Sequence, residues 1–129
     1  MKVHDFGGTH KVQSIAELEQ RLGVRFNDEQ NGFGISPDSS KYPRLFIYVK
    51  GDLAVIYYHR GDDRAGYVSV GGKMNLDPKE MTNFSIHRSD SDSIDVFNDS
   101  IVPFSEALEV AKEFFQSQEL PRSIEWFEL

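Results

Sequence analysis

A chain of 129 residues has the length of one folding unit, and ten Phe, five Tyr and one Trp within a 39% hydrophobic complement supply enough apolar material for a core. Fourteen Lys and Arg against twenty-one Asp and Glu give a net charge of −7, the wrong sign for gripping a phosphate backbone, so direct nucleic-acid binding is not expected. The lack of cysteine excludes a disulfide scaffold and thiolate metal sites; Met1 to Phe6 has no signal-peptide pattern and the longest apolar run, Leu53 to Tyr58, is too short to span a bilayer, which points to a cytoplasmic protein without membrane contact.

Ser14 followed by Glu17 has the spacing of a capping box, and Ile15, Leu18 and Leu22 repeat at helical intervals up to Gly23, which predicts a short first helix. Gly32 to Ile35 reads as a strand. The clearest β signal follows, from Leu45 to Tyr58, where two apolar runs flank Lys50, Gly51 and Asp52 as in a hairpin. Further strands are expected at Ala65 to Val70, Asn83 to His87 and Ser93 to Phe97. Ser105 is placed to cap a helix whose stripe of Ala107, Leu108, Ala111, Phe114 and Phe115 opposes charged residues. Pro121 ends that helix, and Ser123 to Leu129 reads as a last strand carrying Trp126. No repeat or linker divides residues 1–129. The expectation is a single α+β domain: a mostly antiparallel sheet in meander order, a short N-terminal helix and a C-terminal helix packed on one face.

Nothing in the sequence marks a catalytic centre, and no enzyme activity, cofactor or small-molecule substrate is expected. His4, His10, His59 and His87 include no pair one helical turn apart, so a metal site is not expected either. Ser69 sits in G-x-x-S-x-G, not the G-x-S-x-G of a nucleophile elbow, and reads as a solvent-facing strand serine. Gly71, Gly72 and Lys73 lack the rest of a phosphate-binding loop and read as a turn.

The unusual feature is a stretch from Ser89 to Ala111 without Lys or Arg that holds Asp90, Asp92, Asp95, Asp99, Glu106 and Glu109. If Ile94 and Val96 face inward on a strand, alternation turns Asp95 and Phe97 outward and sets an aromatic anchor among acids. The other reading has Phe97 filling a secondary core pocket beneath a solvated loop. A surface of this sign suits a basic partner, although acidic composition is common among soluble bacterial proteins. The candidate interface is Asp90, Asp92, Asp95, Phe97 and Asp99, with the acidic turn of Asp62 and Asp63 as a second element.

Four segments form a pattern together: Tyr42 to Leu45; Asp52 to Tyr57; Ala65 to Ser69 with Gly71; and a tail of Val102, Pro103, Ala107, Ala111, Glu113, Phe114, Phe115, Pro121, Ile124, Glu125 and Trp126. In these the chain resembles the first-described family of bacterial polymorphic-toxin immunity proteins, which often accompany deaminase toxins. The chain departs from the pattern after the helix, where Ser117 and Gln118 stand in place of an expected glycine, and residues before Tyr42 carry none of it. The resemblance implies a protein that binds a toxin domain acting on nucleic acid, a cytosine or adenine deaminase first and a nuclease second, and blocks its active site with an acidic surface. Two other classes stay open on the residues alone. One is a general interaction or adaptor domain. The other is a hydrolase, which would need Ser69, His59 or His87 and a carboxylate to converge in one cleft.

Overall fold

The two apolar runs on either side of Gly51 form the centre of the sheet. The structure is a computed structural model and describes residues 1–62, 65–88 and 92–129. β4 (Arg44–Lys50) and β5 (Leu53–His59) pair antiparallel from Lys50↔Leu53 to Arg44↔His59. The turn between them puts Gly51 at φ +58°, where a side chain would be strained. Alternation then sends Leu45, Ile47, Val49, Ala54, Ile56 and Tyr58 to one face and Tyr48, Val55 and Tyr57 to the other. Both faces are covered, each by its own apolar cluster.

Six more strands join this pair: β1 (Lys2–Asp5), β2 (Gly8–Lys11), β3 (Gln30–Ser36), β6 (Tyr67–Ser69), β9 (Val102–Pro103) and β10 (Trp126–Glu128). The order is β10-β6-β5-β4-β3-β1-β2, with β9 pairing on β5. β3 to β6 follow one another as the expected meander. β7 (Met81–Ser85) and β8 (Ser93–Phe97) then leave it and form a separate two-stranded ribbon, with Met81 opposite Phe97 and Ser85 opposite Ser93. The ribbon is excluded from the sheet because its place is taken: the C-terminal strand β10 covers the edge of β6, and β9 takes up β5 from Ala54 to Leu53.

The helices α1 (Ile15–Leu22) and α2 (Phe104–Ser117) cover one face, burying Leu18, Leu22, Ala107, Val110, Ala111 and Phe114 against the sheet. The ribbon covers the other, where Phe84 and Val96 pack on Val55, Val68 and Ile101. The α1 cap matches the sequence: Ser14 Oγ accepts from the Glu17 N–H at 3.2 Å, and Glu17 reaches back to the Gln13 N–H at 2.9 Å. The expected cap of the second helix is corrected. Pro103 occupies the N-cap position, no side chain caps the helix, and Ser105 lies in its first turn. β9 fixes this start, because Pro103 is paired opposite Leu53 and the Phe104 N–H donates to the Asp52 carbonyl at 2.8 Å. At the far end Gln118 adopts φ +55°, the left-handed position where the resembled pattern has glycine.

Trp126 lies half-buried with its ring 6.4 Å from that of Tyr58, which in turn meets Phe114 at 6.1 Å. Its indole N–H donates to the Pro121 carbonyl at 2.6 Å. The C-terminus is thereby held against the sheet.

Candidate functional site

Where β8 passes β6 and β10, the ribbon and the sheet leave an open groove of 520 Å³. Its floor follows from register. Tyr57 lies opposite Val68, and Val68 opposite Phe127, so these three side chains form one cross-strand row on the ribbon face. Its wall is β8, where inward Val96 leaves Asp95 and Phe97 pointing out. Of the two sequence readings for Phe97 the outward one holds: the residue is 54% exposed, beside Phe127 at 62% and Leu129 at 54%. Val70 completes the lining, so four of the five large apolar side chains exposed among the described residues meet in one groove. Scattered apolar residues on a surface need no explanation; a convergent set does.

The rim is acidic. Asp95 and Asp99 line the groove, and Asp95 is steadied by the Asn83 amide at 2.9 Å. Burial pushes the Tyr57 hydroxyl above its ordinary pKa, which keeps it a neutral donor.

The remaining sequence candidates do not gather here. Asp92 stands at the ribbon tip, 3.6 Å from His87. Asp62 lies elsewhere, accepting a hydrogen bond from Tyr42 that raises the pKa of that phenol. Asp63 and Asp90 lie outside the described residues. The acidity of the stretch from Ser89 to Ala111 is also narrower than its sequence suggests: Lys73 pairs with Glu106 at 2.6 Å, and Lys112 meets Glu109 at 3.2 Å and Glu19 at 2.7 Å. Basic partners reach it from outside the segment, Lys73 from the loop after β6 and Lys112 from the next turn of α2 itself. What sequence reasoning missed is Phe127, Leu129, Val70 and Tyr57. Their residue types were visible, but only strand order brings them beside Phe97.

The expectation of a solvent-facing Ser69 is overturned. Ser69 is fully buried, its hydroxyl accepting from the Ile56 N–H at 3.1 Å and donating to the Ser100 carbonyl at 2.7 Å. This is the point where β5 passes from one partner strand, β6, to another, β9. A strand amide would be orphaned there without the serine. Next to it, a side chain on Gly71 would collide with the Ile101 carbonyl, and the Gly71 N–H donates to the Asp99 carbonyl at 2.6 Å, so the glycine allows two backbones to cross. The Ser69 hydroxyl is bonded to neither histidine: His59 packs edge-on against Phe46, and His87 lies beside Asp92. Among the described residues no group of three His, Asp or Glu side chains is placed to hold a metal ion, and no helix is long and apolar enough to cross a membrane.

The described residues thus leave an open groove with an apolar floor, an exposed aromatic wall and an acidic rim. No family model matches the chain. Its sequence is 27% identical over 129 residues, the whole of both chains, to the double-stranded DNA deaminase immunity protein of Burkholderia cenocepacia (strain H111). The resemblance to immunity proteins of deaminase toxins is borne out, and it extends through the first forty residues, where the sequence pattern alone did not reach.

Proposed function

We propose that this chain is an immunity protein that binds and inhibits a deaminase toxin domain acting on DNA, and that it seats that domain on the groove between β8 and β10. The observation that carries the site is the convergence of Phe97, Phe127, Leu129 and Val70 beside Asp95 and Asp99. Fully burying an exposed Phe or Leu side chain contributes roughly 1.5–3 kcal/mol, and these four, about half exposed in the free chain, keep roughly half of that for a partner, which suits them as anchors. The acids supply direction. A domain that holds DNA needs a basic surface, and carboxylates beside an apolar anchor steer that surface into contact and occupy the place of substrate phosphates. The chain acts by occupancy in the cytoplasm, without catalysis and without a cofactor.

The test is co-purification of the chain with a candidate deaminase toxin domain from its own gene neighbourhood, followed by assays of cytosine and adenine deamination on double- and single-stranded DNA. Stoichiometric suppression of deamination is expected. A chain that neither binds that domain nor slows it would overturn the reading in favour of a general adaptor, and suppression of a nuclease instead would keep the immunity role while changing the toxin class.

A further inference from the structure

On the other side of the ribbon lies a second cleft, of 420 Å³, with the opposite character. Its floor is glycine. On β3, Gly32 lies opposite Tyr48 and Gly34 opposite Phe46, and a Cβ would come within 2.8 Å of the Tyr48 ring at the first and 2.9 Å of the Arg44 guanidinium at the second. The side chains of Phe6 and Tyr48 close over Gly32 and that of Arg44 over Gly34, so both glycines are buried and these side chains wall the cleft. The guanidinium of Arg44 lies 4.3 Å from the centre of the Phe46 ring, and that of Arg88, from the segment after β7, lies 4.9 Å from the Phe26 ring. Stacked in this way, an arginine keeps its N–H edge for a carboxylate.

Among the described residues of this chain of net charge −7, the cleft is lined by Arg44, Arg88, His4 and His87 against a single acid, Asp5. That acid is already engaged. Its carboxylate accepts from the Gly7 and Gly8 N–H groups at 2.8 and 3.1 Å and from Arg21 at 3.4 Å, and it is fully buried. Asp62 accepts from Tyr42, and among the described residues neither Arg44 nor Arg88 forms an ion pair. The cleft also adjoins the groove through register: Gly34, Phe46, Tyr57, Val68 and Phe127 are successive cross-strand partners, so one row runs from the basic cleft to the apolar groove.

We propose that this cleft takes an acidic peptide segment of the partner toxin domain, its chain laid along Phe6, Phe46 and Tyr48 and a carboxylate held by Arg44 and Arg88. The proposal rests on the reading that the ribbon face meets a toxin. A polyanion such as DNA is disfavoured, because the surrounding molecule repels it while a single carboxylate needs only the local pair. The two sites together would fix orientation: a partner turned end for end would place acid on acid and base on base.

The probe is a capped pentapeptide of alternating glutamate and phenylalanine, titrated against the 15N-labelled chain, with its lysine counterpart, inorganic phosphate and a short single-stranded oligonucleotide as comparisons. Saturable shifts at Gly32, Gly34 and the Arg44 side chain are expected with the acidic peptide alone, and Arg44→Gln with Arg88→Gln should abolish them. The same double variant should weaken binding to the inactivated deaminase domain roughly tenfold. Its melting temperature is measured alongside, and Arg88→Gln, at an exposed position, serves alone if the double variant is unstable. Absence of shifts, equal shifts with the lysine peptide, or preference for phosphate or the oligonucleotide would overturn the proposal. If the double variant binds the deaminase domain as before while Phe97→Ala weakens binding, the cleft is idle and the immunity reading stands. If the unaltered chain does not bind that domain at all, the immunity reading itself fails.

Discussion

Ser69 illustrates how far a single position can be read. Its place on a strand was legible, and alternation from Tyr67 puts it on the side of the helices, but nothing local says that β5 changes partner at Ile56 and leaves an amide for the serine to satisfy. Ser69→Ala removes the partner of the Ile56 N–H and of the Ser100 carbonyl. Buried polar groups left unpaired cost about 1–3 kcal/mol, so the variant should lose about 2 kcal/mol in urea unfolding without loss of toxin binding. A variant as stable as the parent would show that water replaces the hydroxyl. His59 is the second such position. Burial first, and then the Arg44 charge, lower its pKa below the ordinary 6.5. The unfolded chain therefore binds the proton more readily than the folded one, and stability present above about pH 6.5 is lost as pH falls towards the lowered folded-state value. His59→Gln, which cannot take the proton, should show a smaller drop in melting temperature between neutral and mildly acid pH, and an identical drop would remove His59 from the acid response.

The elements divide by how much of their pattern is local. β4, β5, α1 and β8 carry their own periodicity, and the sequence places them within a residue or two. The N-terminal hairpin of β1 and β2 escaped, because Lys2 to Asp5 has one apolar residue and Gly8 to Lys11 has none. It is held instead by the Asp5 carboxylate capping its turn and by Val3 against Ile35. β10 depends on long-range contact in the same way. Trp126 is only half-buried, so Trp126→Ala should cost about 2 kcal/mol, less than the roughly 3–5 kcal/mol of a fully buried large aromatic. Because β10 carries Phe127 into the groove, fraying of this strand should weaken toxin binding in proportion to the loss of stability. A stable Trp126→Ala chain with unimpaired binding would detach β10 from both roles. For the ribbon the relevant quantity is charge. Replacing Asp92, Asp95 and Asp99 by Asn together should leave the fold intact, since Asp95 keeps its contact with Asn83 as an amide and the other two are exposed. The association rate with the deaminase domain should fall several-fold at low salt and converge with the parent at high salt, the behaviour of rim charges. An unaltered rate at low salt would place the electrostatic contact elsewhere.

Taken together, the molecule is a sheet with two different coats. Helices cover the centre of one face and leave Tyr67 and Trp126 half-buried at its edge, while the ribbon covers only the middle of the other and leaves an acidic apolar groove on one side and a basic aromatic cleft on the other. The fold class was legible because it depends on periodicity and turn residues. The groove was legible only by half: Asp95, Phe97 and Asp99 share one local stretch, whereas Phe127, Leu129 and Val70 join them through β10 pairing with β6, a contact no local pattern announces. The decisive measurement is therefore one in which both halves of the groove are altered separately and together: binding kinetics of Phe97→Ala, Phe127→Ala and the double variant against the inactivated deaminase domain. Each single variant should raise the dissociation rate about tenfold, with little effect on association and with the melting temperature retained, and the double variant should depart from additivity because the two rings share one partner surface. Dissociation rates equal to the parent's in all three would contradict the placement of the toxin on this groove.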